Sequence, residues 1–172
     1  MSEDLIIPLD GLVRGRSEYG CRIGKEFFQK FGNEEILDAG LEVHADVDKT
    51  ADRILVDVRA TGSVTVPCDR CLEDLELDVE ASALLAVSRS SGIEGSVGAD
   101  GREILFVGDD GLMDLSQAVY DYVCLSLPMI KVHPEGGCNP ATVRFLGQKG
   151  SDEEVSRAGN PFAALKGLFD EK

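Results

Sequence analysis

The sequence predicts an α+β domain built on a mostly antiparallel sheet, and three observations carry that expectation. Between Leu37 and Val87, three segments alternate apolar and polar residues with period two, which sends successive side chains to opposite faces of a strand. Their connections, Lys49-Thr50-Ala51-Asp52 and the tip Cys68-Asp69-Arg70-Cys71, are short and polar, so a three-strand meander is the economical topology. One later run, from Leu115 to Pro128, has helical spacing instead and predicts a helix packed across the apolar side of that sheet.

Taken in order, residues 4–13 read as a short strand that Pro8 interrupts or confines to an edge. Arg14 to Gly20 reads as a loop leading to a short extended piece. Phe27, Phe28 and Phe31 lie at helical spacing before Gly32, which predicts a short helix with those rings in the core. In the meander, Leu41, Val43 and Val47, then Val56, Val58 and Val64, then Leu75, Val79 and Leu85 mark one apolar face, with room for the sheet to curl toward a barrel. Residues 89–101, rich in glycine and serine, read as a surface loop, and Glu103 to Val107 as a further short strand.

Asp114 is the expected N-cap of the helix from Leu115, whose stripe is Leu115, Ala118, Val119, Tyr122 and Val123. Pro128 ends it, because proline disfavours helical geometry in the residue before it. Residues 129–147 read as irregular. The domain boundaries follow: 1–146 as one domain, 147–159 as a flexible linker, and 160–172 as a short amphipathic helix. Asn160 and Pro161 start that helix, and Phe162, Leu165, Leu168 and Phe169 share one face. It either folds back on the domain or serves as a docking peptide, and both readings stay open.

At 172 residues and 43% hydrophobic, the chain can bury one substantial core. No apolar run approaches the ~20 residues that span a bilayer, and Met1-Ser2-Glu3-Asp4-Leu5 lacks the basic start of a secretory leader. A cytoplasmic protein that does not engage membranes is expected. The net charge is −15, and residues 31–100 hold sixteen acids against five bases. That excess disfavours a general grip on a phosphate backbone, which needs cations. It suits a solvated face, or a docking surface for a basic partner such as a ribosomal protein.

Five cysteines in such a compartment point to thiols or metal ligands rather than a disulfide framework. Cys68 and Cys71, two residues apart on a hairpin tip, have the form of a zinc knuckle, which supplies one edge of a tetrahedron. His133 and Cys138, from the irregular segment, can supply the other edge and complete a closed Cys3His site for a structural zinc. A metal site, reduced thiols without metal and a redox-active dithiol all stay open, in that order. The redox reading is weakened because this pair lies between strands, not at a helix N-terminus that would lower a thiol pKa. Cys21 lacks a partner at ligand spacing, Cys124 reads as a buried small hydrophobe, and His44 as a surface residue. No phosphate loop, nucleophile elbow or HExxH motif occurs, so an enzyme is not expected.

The order V-P-C-D-R-C-L-E from Val66, L-S-L-P-x-x-x-V-H-x-x-x-x-C from Leu125, and N-P-F-A-A-L-K-G-L from Asn160 resembles the bacterial YceD family across nearly the whole chain. The resemblance implies a role in the synthesis, processing or accumulation of large-subunit ribosomal RNA. It maps onto Cys68, Cys71, Leu127, Pro128, His133, Cys138 and the Asn160-Pro161-Phe162 start. One departure is Lys131, where family members often carry a second proline, and it is expected to loosen the segment around His133. The expectation is a non-enzymatic assembly factor working through large-subunit ribosomal RNA or a ribosomal protein. A CxxC thiol oxidoreductase and a general chaperone for basic proteins are the alternatives. The sequence leaves the oligomeric state open.

Overall fold

The computed structural model describes residues 5–89, 98 and 100–146. The linker and C-terminal helix expected at 147–172, and most of the loop at 89–101, lie outside the described residues. The fold is α+β, with a five-stranded sheet and a two-stranded antiparallel one.

The meander forms where the period-two pattern lies. Strands β3 (Asp38–Lys49), β4 (Ile54–Pro67) and β5 (Asp74–Ser88) pair antiparallel in unbroken register. Their alternation sorts the faces: Leu41, Val43, Val47, Val56, Val64, Val79 and Leu85 are buried, while Glu42, His44, Asp48, Glu76, Asp78 and Glu80 are exposed. Gly62 has φ +148, and a Cβ there would come within 2.1 Å of the Gly40 carbonyl oxygen. Only glycine fits that close approach.

Among the described residues two further strands, β2 (Gly15–Gly24) and β6 (Glu103–Phe106), join the main sheet, in the order β2-β3-β4-β5-β6. Strand β2 (Gly15–Gly24) pairs with β3 over its whole length, which corrects the expected loop at Arg14 to Gly20. Ser17, Tyr19, Cys21 and Ile23 do alternate toward the core, but they are too weakly apolar for local pattern to reveal a strand; pairing with β3 decides it. Strand β6 (Glu103–Phe106) runs parallel to the end of β5. Among the described residues the sheet stays open and does not close into a barrel. At the N-terminus, β1 (Ile6–Pro8) pairs antiparallel with β7 (Leu112–Asp114), a three-residue strand with no signature of its own in the sequence. Pro8 ends β1 and leads into a single 3-10 turn, Leu9–Gly11.

Helix α1 (Lys25–Lys30) stops before Gly32, which takes the left-handed φ of +71 that suits a helix end. It buries Phe27 and Phe28 in the core. Full burial of a ring such as Phe28 contributes roughly 1.5–3 kcal/mol relative to exposure. The Phe31 ring stacks on Tyr120, with centroids 4.4 Å apart, and so ties α1 to the next helix.

Helix α2 (Ser116–Ser126) lies across the sheet, burying Ala118, Val119 and Val123 against β5 and β4. At eleven residues it would be marginal alone, and this apolar stripe sustains it. The N-cap is Leu115, one residue later than expected, but the Asp114 carboxylate still accepts the Ser116 N–H at 2.8 Å. Leu127 turns extended before Pro128, and the chain then returns toward the β4–β5 tip. A third helix, α3 (Pro140–Leu146), occupies part of the segment expected to be irregular. Among the described residues, no helix is long and apolar enough to cross a membrane.

Candidate metal centre

The first arm of the site is the β4–β5 tip. Pro67 ends β4, and the Cys68 N–H donates to the Glu73 carbonyl at 2.8 Å, closing the hairpin. Leu72 donates its N–H back to the Cys68 carbonyl at 2.9 Å and takes φ +62, left-handed geometry that costs a side-chain-bearing residue roughly 1–2 kcal/mol. The tight turn brings Cys68 and Cys71 to one side. Backbone N–H groups of Cys71, Arg70 and His133 lie toward the Cys68 sulfur and favour its thiolate.

The second arm follows α2. Its backbone meets the tip where the Asp69 N–H donates to the Lys131 carbonyl at 2.7 Å and the Lys131 N–H donates to Asp69 Oδ2 at 2.6 Å. Lys131 Nζ also pairs with Glu35 at 2.5 Å. The expectation that Lys131 loosens this segment is corrected: the residue is anchored through its N–H, its carbonyl and its ammonium. A proline at this position would lack the N–H that Asp69 receives.

Two residues on, His133 Nε2 lies 3.1 Å from the Asp74 carbonyl oxygen. A carbonyl can only accept, so this contact assigns the proton to Nε2 and leaves the Nδ1 lone pair facing the cysteines. The Gly137 N–H then donates to the Pro134 carbonyl at 2.8 Å, with Gly136 at φ +82, and this turn folds Cys138 back beside His133. Asn139 receives the Ala141 N–H on Oδ1 as the α3 cap and donates Nδ2 to Glu73 on the hairpin.

The ligand atoms of Cys68, Cys71, His133 and Cys138 all lie within 4.8 Å of one another. Cys68 Sγ and Cys138 Sγ are 3.9 Å apart; His133 Nδ1 is 3.4 Å from Cys71 Sγ and 3.9 Å from Cys138 Sγ. A tetrahedral ion with bonds of ~2.3 Å to sulfur and ~2.0 Å to nitrogen sets its ligand atoms ~3.5–3.8 Å apart. The donor set therefore fits one four-coordinate ion, and three soft sulfurs with an imidazole suit zinc far better than magnesium or calcium. The three cysteines are buried and His133 is half-buried.

Electrostatics separate the ligands. Burial pushes the Cys68 thiol pKa up, but the donors from Cys71, Arg70 and His133 outweigh it and hold the pKa at about 6. Burial raises the Cys138 thiol, reinforced by hydrogen bonds with Cys68 and Cys71. The His133 pKa is raised, mainly by its contact with Cys68 against the opposing effect of burial.

All four residues singled out from the sequence thus come together. Cys21, Cys124 and His44 lie outside the cluster. Cys21 is half-buried on β2, and His44 is exposed on the wet face of β3. Cys124 is half-buried in α2, where burial raises its thiol pKa. Sequence reasoning did not reach the residues that hold the two arms together, Asp69, Glu73, Lys131 and Asn139. Asn139 alone had a local signal, since Asn-Pro is a helix start.

Fold and side chains together define a small α+β domain with a closed Cys3His cluster joining a hairpin tip to the segment after a helix. A family model described as "Large ribosomal RNA subunit accumulation protein YceD" matches residues 56–169, and the chain belongs to this family. The matched span contains all four residues of the cluster. No curated protein and no solved structure matches the chain.

Proposed function

We propose that the protein is a non-enzymatic factor supporting the accumulation of large-subunit ribosomal RNA, with a structural zinc at Cys68, Cys71, His133 and Cys138. The observation that carries the metal part is the convergence of those four ligand atoms within 4.8 Å. Family membership supports the ribosomal part. Four protein ligands complete a tetrahedron and leave no position for a reactive water, which favours a structural over a catalytic role. The ion would supply the cross-link between the hairpin and the segment after α2. The protein acts through a basic protein partner rather than by gripping RNA, a reading supported by the acidic wet face of the sheet.

Thiol chemistry is the second reading, and one observation favours it: the lowered pKa of Cys68. Against it, Cys68 is 0% exposed and follows a strand. Elemental mass spectrometry with a thiol count on protein purified under reducing conditions separates the two. One zinc per chain, with Cys68, Cys71 and Cys138 shielded from alkylation until a chelator is added, supports the metal reading. Metal-free protein with reversibly oxidised Cys68 and Cys71 supports the other. The ribosomal role is tested by depletion in cells: large-subunit ribosomal RNA should fall selectively, and Cys68→Ser should restore it less well than the wild type.

A further inference from the structure

Strand β5 is covered unequally by its neighbours. Strand β4 pairs with it from Asp74 to Val87, whereas β6 reaches only Leu85 to Ser88. At the head of β5, His133 meets the Asp74 carbonyl and Asn139 meets Glu73. Between these ends, from Leu75 to Leu84, the edge turned away from β4 has no hydrogen-bond partner among the described residues. A strand directs alternate residues' N–H and C=O groups to each side, so about five residues offer unpaired backbone there. Such an edge templates another strand unless it is covered or protected by charge.

The charge on this edge selects the strand it would accept. Asp74, Glu76, Asp78 and Glu80 occupy successive wet-face positions and are all exposed. Their partners across on β4 are Pro67, Thr65, Ser63 and Thr61, none of them a cation. A second copy of β5 would set acid rows side by side, which is destabilising. Residues 90–97 contain no lysine or arginine, and residues 147–172 hold no two basic residues at alternate positions. The chain's own remaining segments therefore lack the complementary pattern.

We propose that the open edge of β5 receives an extended segment of another protein, added as a strand in line with β6, with lysine or arginine at alternate positions facing Glu76, Asp78 and Glu80. The inference rests on the reading of this protein as a factor with a basic partner, and it names the surface and the pattern. Backbone pairing supplies the register and the acid row supplies the selectivity.

The test uses the full chain and two synthetic peptides long enough to span Leu75 to Leu84. One alternates lysine and threonine; the other has the same composition in two blocks. The alternating peptide should bind at least about tenfold more tightly and slow exchange of alternate amides from Leu75 to Leu84 by about tenfold or more. The double variant Glu76→Lys/Glu80→Lys should abolish that protection without lowering the melting temperature. Edge amides already protected in the free protein, or unchanged by saturating peptide, would overturn the proposal. Equal binding of both peptides with protection elsewhere removes the edge but leaves the basic-partner reading standing. Failure of every basic peptide to bind removes both.

Discussion

Asp69 and Lys131, sixty-two positions apart in the chain, are joined twice: the Asp69 N–H donates to the Lys131 carbonyl, and the Lys131 N–H donates to the Asp69 carboxylate. This pair ties together the two arms of the cysteine cluster through atoms that are not themselves ligands. A contact that holds the arms independently of the ligands lowers the ordering cost of metal binding. Asp69→Ala removes one charge-assisted bond, worth roughly 1.5–3 kcal/mol at most, and leaves the backbone bond in place. Urea denaturation of the metal-free variant should show a loss in that range. Zinc affinity should fall about 10–100-fold, as for other outer-shell partners of a metal site. Asp69→Asn retains an acceptor and should recover most of both; equal losses in the two variants would remove the pair from the account.

Cys68 makes the metal-free protein sensitive to pH, and the sign follows from its lowered pKa. Folding takes this thiol from its ordinary 9.0 to about 6. Between those values the unfolded chain holds a proton that the folded chain has released, so stability rises with pH. The contribution is fully present above about 9 and is lost as pH falls through about 6. His133 opposes it: a raised folded pKa stabilises below 6.5, and that stabilisation is lost as pH rises through the raised value. A His133→Gln background isolates the thiol, because it keeps the backbone N–H that helps lower the Cys68 pKa. Two proteins are then compared, one with His133→Gln alone and one that also carries Cys68→Ser. The stability difference between them should widen as pH rises from about 6. A flat difference would contradict the lowered pKa.

Gly62 is the position in the sheet least able to accept a side chain. Its φ of +148 suits glycine, and a Cβ would stand 2.1 Å from the Gly40 carbonyl oxygen. That neighbour is backbone of β3, so relief requires parting two central strands. Gly62→Ala should cost about 3 kcal/mol or more, at the severe end for single substitutions. Gly40→Ala, where a Cβ would meet nothing within 4 Å, should be mild by comparison. Thermal melts of the two variants give the test.

The meander and the four convergent side chains were legible because each has a local signature. Period two labels β3, β4 and β5 without reference to neighbours, and Cys68-x-x-Cys71 and His133-x4-Cys138 each stand as a close pair. What was not legible depends on distant partners. Strand β2 owes its length to β3, and β7 exists because β1 lies beside it. Strand β6 runs parallel to β5, a direction that its own four residues do not encode. Helix α3 was hidden for another reason: none of its residues is buried, so no apolar stripe marks it. Its Asn139-Pro140 start, of the same form as Asn160-Pro161, is its local mark in the sequence.

That start carries the last prediction. Asn139 caps α3 through Oδ1, which receives the Ala141 N–H at 2.9 Å, while Nδ2 donates to Glu73 at 2.6 Å. It immediately follows Cys138, so one side chain both begins the helix and holds the last ligand against the hairpin. Asn139→Ala removes both bonds, and loss of the cap alone costs about 1 kcal/mol. Asn139→Asp keeps the cap but sets a carboxylate against Glu73, exchanging a hydrogen bond for repulsion. If positioning of Cys138 depends on the bridge to Glu73, both variants should lose zinc affinity, and Asp should retain more helix than Ala by circular dichroism. If the cap alone matters, Asp should bind zinc as the wild type does, and the Glu73 contact would then be incidental to the site.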